Sequence, residues 1–157
     1  MTTKEDRLLQ WLRDAHAMEK QAEAMLSAQA SRIVSYPELK QKIEEHLAET
    51  RRHPDMLQSC IERRGGDISI LKDLMGRFAA MGQGLGGAVM DDEVIKGSMA
   101  SYTFEHMEIA AYEVLIATAE ACGDVETVAV CQRILNEETA MATWLGENLG
   151  PVVAHPI

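Results

Sequence analysis

Between Lys4 and Arg32, Leu8, Leu12, Ala15, Ala22 and Leu26 recur at alternating steps of four and three, and Glu19 occupies the slot where the next apolar residue is due. That spacing is the seam of a helix packed in a bundle, so the first helix is predicted over 4–32. A second is predicted over 37–64: Pro37 suits a first turn, Leu39, Ile43, Leu47, Leu57 and Ile61 form the stripe, and Gly65-Gly66 stops it. Pro54 lacks a backbone donor and crowds the preceding turn, so it should kink this helix and rotate its register. A third helix over 91–122, capped by Asp91-Asp92, places Val94, Ser98, Ser101, Glu105, Glu108, Tyr112, Leu115 and Ala119 on one stripe. A fourth over 124–148, capped by Asp124, aligns Val128, Cys131, Leu135, Glu138, Ala142, Leu145 and Leu149. Gly150-Pro151 is expected to end it, leaving a tail over 149–157.

The connection over 65–90 has a different character. A short amphipathic piece from Ile68 to Met81 leads into Gly82-Gln83-Gly84-Leu85-Gly86-Gly87. No strand precedes this stretch and no Gly-Lys-Ser/Thr lies in it, which argues against a phosphate-cradling loop. It reads as a crossover between two helical hairpins. The expected fold is therefore all-α: one domain over 1–157, a four-helix bundle of two antiparallel hairpins joined by a crossover containing a short extra helix.

Glutamate interrupts these seams at matched heights. Glu19 and Glu49 lie 30 residues apart about the breaker Ser35-Tyr36-Pro37, and Glu108 and Glu138 lie 30 apart about Cys122-Gly123-Asp124. At a rise of ~1.5 Å per residue, each pair meets ~20 Å from its turn, inside the bundle. Four buried carboxylates need counter-charge, and two divalent cations balance them. Glu49 sits at the edge of its stripe, whereas His46 and His53, one turn to either side, lie nearer the centre. The Glu-x-x-His pattern of many dinuclear bundles is missing, since Arg52 follows Glu49 and Met141 follows Glu138 at that spacing. In its place stand His46-x-x-Glu49-x-x-x-His53 and Glu105-x-x-Glu108, which still put candidate ligands one turn apart on one face. The candidate metal ligands are thus Glu19, Glu49, Glu108, Glu138, Glu105, His46 and His53. The choice between Glu105 and Glu108, and between His46 and His53, stays open at this level. Tyr112 is read as a packed aromatic in preference to a donor to a ligand, and His16 and His106 as structural, His106 pointing to a neighbouring helix.

Composition narrows the function. A net charge of −10 and a pI near 4.9 argue against nucleic acid and anionic membranes as partners and favour cations. Neither an apolar signal core at the N-terminus nor a run of membrane-spanning length is present in the sequence, so a cytoplasmic protein is expected. Cys60, Cys122 and Cys131 show no Cys-x-x-Cys spacing and read as reduced structural thiols, and the ten methionines as core filler.

The strings LRDAHAMEKQ, HLAET, FEHMEIAAYEVL and LNEE, spread from about Leu8 to Leu149, resemble the bacterial YciE/YciF-type ferritin-like stress proteins. The resemblance implies a ferritin-like, dinuclear metal-binding bundle, usually a homodimer, related more distantly to rubrerythrins and manganese catalases. It makes Glu19, Glu49, Glu108 and Glu138 the leading ligands, with Glu105 and His46 in the same motifs. Relatives often carry an acidic residue where this chain has Ala142. The expected cofactors are two divalent metal ions, iron first, manganese or zinc as alternatives, with dioxygen or peroxide as co-substrates. The leading reading is an iron- or manganese-dependent oxidoreductase of the ferroxidase, peroxidase or catalase-like kind acting in stress response. The alternative is a non-enzymatic, metal-stabilised structural or partner-binding stress protein.

Overall fold

A computed structural model of the chain describes residues 1–67 and 93–154. Helix α1 spans Lys4–Arg32, α2 Pro37–Thr50, α3 His53–Arg63, α4 Glu93–Ala121 and α5 Val125–Ala154. Thr3 starts α1 through a reciprocal box: its hydroxyl accepts from the Asp6 backbone N–H at 3.0 Å, and the Asp6 carboxylate accepts from the Thr3 N–H at 3.0 Å. The long connection expected over 65–90, with its amphipathic piece, glycine-rich tip and Asp91-Asp92 cap, lies almost wholly outside the described residues, as does His155 of the tail.

The expected kink at Pro54 is a full interruption. Proline at 54 denies residue 50 its hydrogen-bond donor, and the chain tightens instead: the Arg51 N–H donates to the Leu47 carbonyl and the Arg52 N–H to that of Glu49, each at 3.0 Å. α2 therefore ends at Thr50 and α3 restarts at His53, the pair together serving as one rod of the bundle. The expected stop at Gly150-Pro151 is also corrected. α5 continues through Pro151 to Ala154, and burial of Val152 in the core helps offset the missing backbone donor.

Terminal contacts establish the topology. The Lys4 ammonium donates to the Ala121 carbonyl at 2.6 Å, and the Arg32 guanidinium pairs with Glu93 at 3.0 Å, so α1 and α4 run antiparallel. α3 ends beside Asp124, at the opposite end of the bundle from the start of α4, which is the connectivity of a crossover. Gly123, at φ 69°, makes the tight turn from α4 to α5. Among the described residues the apolar interior forms two clusters. One gathers Leu8, Leu12, Leu57, Ile61, Leu115 and Ile134; the other gathers Leu26, Ile43, Leu47, Met141 and Leu145. On α5, Glu138 falls between Ile134 of the first and Met141 of the second, so an ionisable layer is sandwiched between them.

Asp124 closes the lower end. Its carboxylate accepts from the Thr127 N–H and hydroxyl at 3.1 and 2.6 Å, and pairs with Arg63 and Arg64 at 3.0 and 2.8 Å. Burial alone would raise its pKa, but the Thr127 and arginine hydrogen bonds outweigh it and hold the group far below the usual carboxylate range. A depressed folded-state pKa contributes stability that is present above the unfolded value, about 3.9, and is lost as pH falls through the folded one. Asp124→Asn should therefore cost about 1–3 kcal/mol near neutral pH, with the gap from the parent narrowing as pH falls from about 4 toward 2 without yet closing there. Urea midpoints of both proteins across that range check this; a gap independent of pH would contradict it.

Candidate metal centre

Each rod contributes to the ionisable layer. α1 supplies Glu19, on the same stripe as Leu12, Ala15 and Leu26, and its side chain is fully buried. α2 supplies His46, and α3 supplies His53 at its first residue, where the interruption before Pro54 turns the imidazole inward. α4 supplies Glu105 and Glu108 one turn apart, and α5 supplies Glu138.

Among the described residues, two groups of side chains could hold a metal ion, with their ligand atoms all within 4.8 Å of one another. His46, Glu105, Glu108 and Glu138 make one; Glu19, His53 and Glu138 make the other. Glu138 belongs to both. His46 Nε2 lies 2.9 Å from Glu105 and 3.1 Å from Glu138, while His53 Nδ1 lies 3.1 Å from Glu19 and 3.2 Å from Glu138. The remaining nitrogen of each ring faces an outer carboxylate: His46 Nδ1 meets Glu49 at 3.1 Å, and His53 Nε2 meets Glu137 at 2.7 Å. Each imidazole thus turns one nitrogen toward the centre and anchors the other at the rim.

Charge is poorly balanced in this layer. Among the described residues, the ion pairs of Glu19, Glu105 and Glu138 run to histidine, and none runs to lysine or arginine. Both oxygens of Glu108, and Oε2 of Glu105, are buried with no hydrogen-bond donor reaching them. Burial and the neighbouring Glu138 push Glu19 up to about 7, and the same two causes raise Glu105 and Glu108 well above the usual range. Glu138 goes the other way: burial opposes its charge, but hydrogen bonds with Glu105, His46 and His53 hold it well below normal. For the imidazoles burial lowers the pKa, yet the carboxylates win, driving His46 to about 12 and His53 to about 10. Protons thus stand in for missing positive charge. The donor set of carboxylate oxygens and imidazole nitrogens suits iron, manganese or zinc, and the orphaned Glu108 oxygens give an ion ligands that nothing else satisfies.

Of the seven residues read from sequence, six converge: Glu19, Glu105, Glu108, Glu138, His46 and His53. Glu49 does not join either group. Its side chain is 35% exposed and serves His46 from the rim. Tyr112, expected to be simply packed, is fully buried but also donates its hydroxyl to Glu19 at 2.5 Å, because Glu108 and Tyr112 share one stripe facing α1. His16, read as structural, is buried, whereas His106, expected to point to a neighbouring helix, is exposed and stands edge-on to Tyr102 of its own helix, with ring centroids 4.7 Å apart. Glu137 was missed because it lies one residue off the seam. Ala142 is buried one turn beyond Glu138 and offers no ligand atom.

Among the described residues no helix is long and apolar enough to cross a membrane. A protein of Xanthomonas campestris pv. campestris is similar in structure, at 41% identity and a TM-score of 0.81, over 97% of this chain and 94% of that one. The E. coli stress protein YciF matches at 25% identity and TM-score 0.81 over 99% of this chain and all (100%) of its own. A Desulfovibrio desulfuricans bacterioferritin, described with a diiron site, shares the fold at 23% identity and TM-score 0.75, over 98% of this chain and 85% of that one. Residues 3–155 match the family described as Domain of unknown function (DUF892). Matched over nearly its whole length, and with YciF among its structural relatives, the chain belongs to the DUF892 family of YciE/YciF-type ferritin-like proteins.

Proposed function

We propose that the layer binds two divalent metal ions, iron first, and that the loaded protein is a ferroxidase-like oxidoreductase of the stress response. The observation that carries this is the pair of ligand groups sharing Glu138, next to a Glu108 whose two oxygens have no other partner. His46, Glu105, Glu108 and Glu138 would hold one ion, and Glu19, His53 and Glu138 the other. Four carboxylates then offset two divalent charges, with both imidazoles neutral. Bound iron would supply one-electron chemistry between its divalent and trivalent states toward dioxygen or peroxide. The bacterioferritin's diiron site, on the same fold, supports this reading.

The chain's own residues have separable tasks. Glu49 and Glu137 accept from the outer nitrogens of His46 and His53, which fixes the tautomer that leaves a lone pair facing the centre. Tyr112 holds one oxygen of Glu19 and leaves the other toward His53. Leu12, Ile134 and Met141, in the apolar clusters above and below, keep bulk water from the layer. The missing Glu-x-x-His motif is made good across helices, since α2 and α3 bring the imidazoles to carboxylates of α1, α4 and α5. Metal binding must displace the protons on the inward nitrogens and on Glu19, Glu105 and Glu108, so loading should release protons.

Anaerobic titration with ferrous iron should saturate near two ions per chain, and admission of oxygen should produce a ferric charge-transfer absorbance. Retention of no iron after desalting would overturn the proposal. Glu138→Ala should abolish both equivalents. Glu49→Gln and Glu137→Gln should each weaken binding about 10- to 100-fold, as removal of an imidazole's outer partner does, without unfolding the chain. In excess chelator, Glu108→Leu should raise stability by about 1–3 kcal/mol, because an unpartnered buried carboxyl group becomes an apolar one. With metal supplied the same variant should lose the stabilisation that the ions give its parent. Chemical denaturation under both conditions reads out the reversal, and a variant less stable in both would contradict it.

A further inference from the structure

His53 and Glu138 face each other across α3 and α5 at 3.2 Å, and the Arg63 guanidinium reaches the Thr127 hydroxyl at 2.8 Å further down the same pair of helices. The two helices are therefore antiparallel and in register over this length. Cys60 comes seven residues after His53, and Cys131 comes seven residues before Glu138. A step of seven returns a helix to the same face within about 20°, so the faces that join His53 to Glu138 meet again at Cys60 and Cys131, about 10 Å below the ionisable layer. Both cysteines are buried, 2% and 0% exposed, in the same apolar cluster. Both are free thiols.

The geometry points to a second reactive site: Cys60 and Cys131 form a dithiol that a hydroperoxide oxidises to a disulfide, strapping α3 to α5 beneath the metal layer. The thiols are not equivalent. The Arg63 guanidinium lies one turn beyond Cys60 on the same helix, with Asp124, Thr127 and Glu126 sharing that cation. The thiolate is the nucleophile, and a thiol buried among apolar neighbours yields it least readily. Cys131 lies between apolar neighbours, and burial, with Cys60 adding to it, pushes its thiol up to about 12. Cys60 is thus the residue attacked first. Its sulfur forms an S–O bond as the peroxide O–O bond breaks; the thiol proton leaves with the released oxygen as water, giving a sulfenic acid. The Cys131 sulfur then displaces that hydroxyl, whose departure with the Cys131 proton makes a second water and closes the S–S bond. Two electrons pass from the two sulfurs to one peroxide, and the chain loses two hydrogens. The strap would tie the helix carrying His53 to the helix carrying Glu138.

The test uses the full chain with Cys122→Ser, which removes the half-buried third thiol, both as purified and after dialysis against chelator. The chelated arm keeps the outcome independent of the metal reading. Stoichiometric hydrogen peroxide should remove both free thiols with a loss of two hydrogens, and peptide mapping should recover Cys60 joined to Cys131. Dithiothreitol should reverse this, and the oxidised chain should melt roughly 10 °C higher, because a long loop is closed. Cys131→Ser should stall as a sulfenic acid on Cys60, captured by dimedone. Two thiols that still alkylate after denaturation, a link between chains, or oxidation of both sulfurs to sulfinic acid without a bond would overturn the proposal; so would dimedone capture at Cys131 in Cys60→Ser.

Discussion

Four carboxyl groups buried at one level of a helical bundle cannot all be ionised unless positive charge is buried with them. Isolated carboxylates in an apolar interior cost far more than a domain's whole margin of stability, so the groups must pair, protonate or bind cations. In this chain they do the first two incompletely. Glu138 stays charged between His46 and His53, while Glu19, Glu105 and Glu108 are driven toward their neutral forms, and no donor of another residue reaches either oxygen of Glu108. The rest of the structure follows from keeping that layer in place. Apolar clusters close it above and below, the break before Pro54 turns His53 into it, and Glu49 and Glu137 brace the imidazoles from outside.

The break between α2 and α3 shows how local covalent chemistry shapes the site. A continuous helix would place His46 and His53 on one face seven residues apart, about 10 Å from each other along the axis. Tightening of the turn at Arg51 and Arg52 lets both histidines serve carboxylates of one layer from successive helices, His46 on the Glu105 side and His53 on the Glu19 side. Glu49, just before the break, is left at the rim. Proline therefore exchanges one continuous backbone ladder for an imidazole at the head of α3.

Much of this was legible in the sequence because burial and helical period are coupled. Every residue of the α1 seam is buried, and so is the stripe Leu39, Ile43, Leu47, Leu57 and Ile61, along with all of the α4 stripe except Val94. On α5 the pattern is one residue out in places: Thr127 and Ile134 are buried where Val128 and Leu135 are only partly so, because Leu, Ile and Val at neighbouring positions define the stripe centre poorly. Glu49 illustrates the limit of height matching. Equal distance from a turn fixes the level of a residue but not the direction of its side chain, and a break a few residues on changes that direction. Tyr112 and Glu137 turn on the polar end of a side chain meeting one particular partner, which no period encodes.

The relatives share the fold, whereas the balance of charge described above belongs to this chain's own interior. It makes one demand above others, namely that Glu138 have a cation on each side. Crystals grown with ferrous iron and measured at the iron absorption edge examine this directly. Two anomalous peaks should flank the Glu138 carboxylate, one toward His46, Glu105 and Glu108 and one toward His53 and Glu19. No peak in that layer, with the carboxyls and imidazoles still bonded to one another at full iron loading, would contradict it.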